Sequence, residues 1–223
     1  MSFTASKAFR EGWAAFNRNA VTLVGFSVLA FLVLGLLQAL QLLISTTVLS
    51  SSDASPGFAV VLVGLSLLQA ILGLVISIGL LDGSLRSVRG ERVSLLALFR
   101  RSSEVPNWLG LQLFSFVAVT LGTLAFVLPG IYLAIAYVFA GLALVDGPRS
   151  FTDALILSRR LVTPHWFDLA LFLAVNAALA AVGSLACGVG LFVSVPVASC
   201  VSAAAYQQLL ELSGAVDAST ERF

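Results

Sequence analysis

A chain of 223 residues that is 59% hydrophobic and only 10% charged, with a mean hydropathy of +1.04, has too few ionic side chains to clothe a water-soluble fold, which ordinarily carries about 25% charged residues. The composition excludes an ordinary soluble domain and points to lipid as the solvent. The net charge of +1 is uninformative as a total, and no tail is basic enough to suggest nucleic acid as a partner.

Residues 1–19 place Lys7, Arg10, Glu11 and Arg18 among apolar positions. This is not the short basic head, apolar run and small-residue cleavage site of a signal peptide. The segment is expected to be retained as a cytoplasmic amphipathic helix. A bilayer core about 30 Å thick needs roughly 20 apolar residues, and the first such run gives span 20–48. It closes on a serine-rich turn with Asp53, Pro56 and Gly57, and span 58–81 follows. Residues 82–107 hold Arg86, Arg89, Arg92, Arg100 and Arg101 against Asp82, Glu91 and Glu104, which predicts a loop outside the hydrocarbon.

The apolar run from Trp108 to Val145 is divided at Pro129-Gly130, giving spans 108–128 and 131–145. A hairpin there returns Arg149, Arg159 and Arg160 of the next loop, 146–165, to the side that holds the first arginines, as cytoplasmic Lys and Arg require. The last run is too long for one helix and splits near Cys187-Gly188-Val189-Gly190 into spans 166–186 and 191–212, followed by a cytoplasmic tail, 213–223. Pro196 is expected to bend the sixth span without ending it. Cys187 and Cys200 lack metal-site spacing and read as small packing residues.

The expectation is an all-α polytopic protein of a bacterial cytoplasmic (inner) membrane, a six-transmembrane-helix bundle with both termini cytoplasmic. Every Lys and Arg then lies on one side, and only Asp53 is charged on the other. An arginine at mid-bilayer costs about 2.5–3.5 kcal/mol on insertion scales. Trp13, Trp108 and Trp166 fall at the cytoplasmic interface, where they would act as anchors.

An internal repeat is expected. Arg101, Pro106, Trp108 and Leu113-Phe114 recur as Arg159, Pro164, Trp166 and Leu171-Phe172, and Phe9-Arg10 with Asn17 echoes Phe99-Arg100 with Asn107. The spacing predicts three units, each an amphipathic helix feeding a hairpin. In the third, Ser150 and Asp153 suit a capping box, and Phe151, Ala154, Leu155, Ser158, Leu161 and Val162 form an apolar stripe. Such a helix either lies among headgroups or packs on the bundle as a connector.

The run Leu128-Pro129-Gly130-Ile131-Tyr132-Leu133-Ala134, with Tyr137, Phe139, Ala154-Leu155, Ser158, Leu161 and His165-Trp166, resembles the membrane domain attached to some glycerophosphoryl diester phosphodiesterases and related uncharacterised six-helix bacterial inner-membrane proteins. The resemblance covers mainly residues 108–206. It implies architecture more than chemistry, since phosphodiesterase activity belongs to a separate soluble domain with metal-binding acids.

No catalytic, cofactor or metal constellation is expected, because His165 has only Asp168 nearby and no nucleophile or carboxylate cluster joins them. The chain is not expected to be an enzyme. The uncharged Gln38, Gln69 and Asn176 are candidates for a solute path or for interhelical hydrogen bonds. The absence of an ionic residue deep in any span disfavours a proton-coupled pump. Arg86, Arg89, Arg92, Arg100, Arg101, Arg149, Arg159 and Arg160 are the candidate contacts for anionic headgroups or a membrane-protein partner. The expected function is a non-catalytic scaffold, assembly or lipid-interacting module; the alternative is a small-solute or lipid transporter or channel.

Overall fold

The computed structural model describes residues 3–50, 56–98, 104–185 and 190–214. Arg100, Arg101, Asp53, Cys187 and the tail after Gly214 lie outside the described residues. All regular structure among the described residues is helical, and six helices are long and apolar enough to cross a bilayer: Ala5–Thr46, Gly57–Val88, Val105–Ala125, Val127–Asp146, Phe151–Ala181 and Leu191–Ser213.

Helix α1, Ala5–Ser50, bends at Asn19, whose backbone (φ −124°, ψ 22°) leaves the helical region. The bend coincides with the predicted boundary between the charged segment and the first span. Helix α2, Pro56–Val88, begins with the ring that pre-sets helical φ. It runs past the predicted end at 81 because Asp82 pairs with Arg86 one turn on, at 2.8 Å, while Ser84 and Leu85 are buried. Gly90, at φ +84°, makes the left-handed turn that a side chain would strain. The predicted loop thus contains helix, one turn more of it being α3, Leu95–Leu98.

Helix α4, Val105–Ala125, ends at Phe126, which is extended, and α5, Val127–Ala136, starts at once. This corrects the predicted turn. Pro129 sits in the first turn of α5, where its missing N–H costs nothing, and the chain reverses before it. Gly130 serves close packing instead: a Cβ there would stand 2.8 Å from Thr123 Cα, and one on Gly122 would stand 3.2 Å from Gly130 N. The two arms of the hairpin meet backbone to backbone.

The predicted fourth span is also two helices, because α5 breaks at Tyr137–Phe139 before α6, Ala140–Asp146. The Ala136 carbonyl freed by the break accepts the Ser158 hydroxyl at 2.7 Å, from a fully buried serine. Ser158 belongs to α7, Phe151–Val162, whose N-cap Ser150 accepts from Asp153 N and whose buried face is Ala154, Leu155, Ser158, Leu161 and Val162. The predicted cap and stripe are both present, and the stripe packs on α4, α5, α6 and α9. A 3-10 turn, Thr163–His165, leads into α8, Trp166–Leu185.

Helix α9, Leu191–Ser213, contains Pro196 and closes on Gly214 at φ +63°, a left-handed cap. It is the centre of the molecule: Ala203, Ala204, Ala205 and Tyr206 are fully buried. Gly12 of α1 crosses it so closely that a Cβ would lie 2.5 Å from Val201 Cα. The pairing of α1 with α9 reaches outward to Phe31 and Phe192, whose rings meet edge to face at 5.2 Å. Beyond that point no described side chain of residues 31–46 or 57–77 is buried. The core therefore gathers where α1, α2, α6, α7 and α9 meet, and the outer α1–α2 hairpin extends from it with apolar faces bare.

Candidate interaction surface at the charged end of the bundle

The charges collect where the core is, and many are spent on one another. Asp146, at the end of α6, has a side chain only 9% exposed. Its carboxylate pairs with Arg89, accepts the Tyr206 hydroxyl at 3.1 Å and lies 3.8 Å from Arg149. Arg149 also donates to the Ala143 carbonyl at 3.2 Å. With its amide turned to accept, Gln207 lies 2.8 Å from Arg89 Nε. One buried carboxylate thereby clamps the ends of α2, α6 and α9, and a buried charge needs that degree of pairing. Lys7 reaches Glu11 and Glu211 at 3.8 and 3.7 Å, closing α1 on α9.

A second polar knot holds the α1 bend. The Asn19 amide donates to Ser87 Oγ at 3.0 Å and to the Glu91 carbonyl at 2.9 Å, while its oxygen accepts from Val93 N at 3.1 Å. Arg18 adds a bond to the Ser87 carbonyl at 3.0 Å. A residue without helical φ/ψ is stable here because its side chain satisfies the backbone of the α2–α3 connection.

The predicted arginine set is therefore divided. Arg86, Arg89 and Arg149 are engaged in ion pairs with Asp82 or Asp146, Arg89 with its side chain still 39% exposed, while Arg92, Arg159 and Arg160 are exposed. The latter two lie on the outward face of α7 with Thr152 and Asp153. The tryptophans divide similarly. Trp13 is 53% exposed and suits an interface anchor, whereas Trp108 is 4% exposed and does not face lipid. Its ring occupies the space left by Gly141, where a Cβ would come within 2.7 Å of it. Trp166 stacks on Tyr132 at 6.4 Å.

The intramembrane amides form interhelical bonds. Gln69 donates to Gln38 at 3.0 Å across α1–α2. Asn176 donates to Ser202 Oγ at 2.9 Å and to the Ala198 carbonyl at 3.2 Å across α8–α9. Two cavities flank Tyr137, one of about 290 Å³ beside Trp108, Gln112 and Gly141, the other of about 210 Å³ beside Phe114, Leu155 and Arg159. Neither is lined by Gln38, Gln69 or Asn176.

Sequence reasoning missed Asn19, Asp146 and Tyr206. An asparagine on the border of an apolar run was the one visible signal; the partners of Asp146 are 57 and 60 residues away in the chain.

Among known proteins, "Uncharacterized protein Rv2560" of Mycobacterium tuberculosis (strain ATCC 25618 / H37Rv) is 30% identical over 230 residues, covering 93% of this chain and 69% of its own length. "Uncharacterized protein Mb2590" of Mycobacterium bovis (strain ATCC BAA-935 / AF2122/97) matches with the same identity and coverage. No protein-family model and no solved structure matches the chain.

Proposed function

We infer, from the premise that this chain belongs to the family of the mycobacterial protein Rv2560, that it is an integral protein of a bacterial cytoplasmic membrane that works by association with lipid or with another membrane protein, without catalysis. The observation that carries this reading is the segregation of charge. The apolar stretches 20–52, 58–81 and 108–145 contain no Asp, Glu, Lys or Arg, while Asp82, Arg86, Arg89, Asp146, Arg149 and Tyr206 join at one end of the bundle. Such an end belongs at the cytoplasmic face with both termini beside it. Arg92, Arg159 and Arg160, exposed there, are placed to gain about 1 kcal/mol each from anionic lipid.

Two amphipathic segments, residues 5–18 and α7, each lead into a helical hairpin, and the short apolar turn α3 precedes the α4–α5 hairpin, which supports descent from one repeated unit. The likeness of residues 128–134 to the membrane domain of glycerophosphoryl diester phosphodiesterases is proposed as kinship of architecture alone.

Cysteine placed at Arg92 or Arg160, with Cys187 and Cys200 replaced by Ala, is expected to react with a membrane-impermeant maleimide only after cells are opened. Labelling in intact cells would overturn the orientation. Flux of a solute or lipid through reconstituted vesicles, abolished by Gln69→Leu or Asn176→Leu, would replace association with transport.

A further inference from the structure

Val105–Ala125 and Val127–Asp146 are each long and apolar enough to cross a bilayer, but the hairpin they form is fastened close to its turn. Just beyond the turn at the extended Phe126, Tyr132 stacks on Trp166 with ring centroids 6.4 Å apart. Its hydroxyl lies 3.2 Å from Thr163 Oγ1, with Arg159 beside it. Trp166 begins α8, and the register of α8 on α9 fixes which end of the bundle that is. Asn176 donates to the Ala198 carbonyl and Ser194 to the Ala180 carbonyl. Continued toward Trp166, this antiparallel pairing arrives at the last turns of α9, where Glu211 meets Lys7. Phe172 of α8 agrees, since its ring meets Phe3 and Phe9 of the N-terminal segment at 5.6 and 5.3 Å. Tyr132 is therefore at the charged end, with the exposed Arg159, Arg160 and Asp168.

Exposed ionic side chains hold that level at the headgroups, because an arginine is costly at mid-bilayer. Along α5 the turn is about 9 Å from Tyr132 at 1.5 Å per residue. The reach of a tyrosine side chain toward the headgroups does not supply the rest of a hydrocarbon core about 30 Å thick. Helix α4, itself about 31 Å long, must then run nearer the membrane plane than the normal. Its packing fits: the buried residues are Trp108 and Leu111, at its start, while Leu124, Phe126 and Leu128 at the tip are 78, 76 and 79% exposed. We propose that the α4–α5 hairpin does not cross the bilayer but is embedded in the leaflet at the charged end of the bundle, its bare apolar faces covered by the acyl chains of that leaflet alone. This rests on the membrane-embedded reading above and deepens it, since a hairpin seated this way displaces lipid chains on one side of the bilayer only.

The test uses the full chain with Cys187 and Cys200 replaced by Ala and a C-terminal affinity tag. Single cysteines at Leu128, Arg160 or Phe58 carry a nitrobenzoxadiazole fluorophore, and each protein is reconstituted at about one copy per vesicle. Vesicles captured by the tag present the charged end outward. Phosphatidylcholine with a nitroxide at acyl carbon 5 is then exchanged into the outer leaflet only. Fluorescence is expected to be quenched at Leu128 as strongly as at Arg160 and to be unchanged at Phe58, beside the α1–α2 turn. Should Leu128→Cys fail to fold, Leu124→Cys on the other arm decides. Emission at Leu128 or Leu124 unquenched, as at Phe58, would mean that the hairpin crosses and would overturn the proposal. Quenching at Phe58 together with Leu128 would remove the crossing of the α1–α2 arm and leave the hairpin where it is proposed. Labelling of Arg160→Cys in intact cells would reverse the orientation inferred above without moving the hairpin from the charged end.

Discussion

Replacing Asn19 with Ala removes three hydrogen bonds at once, to Ser87 Oγ, the Glu91 carbonyl and Val93 N. Each is worth about 1 kcal/mol net, and the buried Val93 amide is left unsatisfied, so a loss of about 2–4 kcal/mol is expected. Thermal unfolding in detergent measures it, with Asn17→Ala, an exposed neighbour, as the inert comparison. The sequence marks residue 19 as a border because the composition changes there. It is silent on the bonds, because their partners lie 68 to 74 residues farther along and no local pattern encodes them. Trp108 fails for a related reason. An indole near the start of an apolar run suits an interface anchor, and only the position of Gly141 opposite it turns the ring inward.

At the scale of the helices, the α4–α5 hairpin tests what Pro129-Gly130 is for. Were it the turn, Gly130→Ala would alter a loop and be nearly neutral. Because the turn is at Phe126 and Gly130 faces Thr123, the substitution is expected to cost about 1–3 kcal/mol, as overpacking does. Thr123→Ala in the same chain should recover part of the loss only where the side chain is at fault, since the Thr123 backbone also stands in the way. The helix break gives a second test. Ser158→Ala leaves the Ala136 carbonyl buried without its hydroxyl partner, an expected loss of about 1–3 kcal/mol, whereas Ser158→Thr keeps the donor. Proline and glycine signal a departure from uniform helix, and the sequence placed that departure within a few residues. It could not separate a reversal from a close approach, because both ask for the same two residue types. Where periodicity alone decides, as in α7, the cap and the buried face were both legible.

For the molecule as a whole, the six apolar runs were readable because hydropathy and charge spacing act over twenty residues and need no tertiary detail. The position of the core was not. Apolar side chains facing lipid and apolar side chains facing protein look alike in sequence, so nothing distinguished α9, with 61% of its apolar window buried, from α2, with none. This asymmetry has a mechanical consequence. Residues 31–50 of α1 form with the facing half of α2 an arm about 30 Å long, comparable to the hydrocarbon thickness, anchored at the Asn19 knot and tied within itself by Gln38–Gln69. With Phe31–Phe192 at its base and no described side chain beyond it buried, the arm is expected to take its angle from the surrounding lipid: upright in thick bilayers, tipped over in thin ones. Spin labels at Leu43 and Leu124, read by pulsed dipolar spectroscopy in short-chain and long-chain lipid, should change their separation, while a pair at Arg10 and Glu211 in the packed end should not. The protein would then register membrane thickness as an angle at one end while its other end holds its shape.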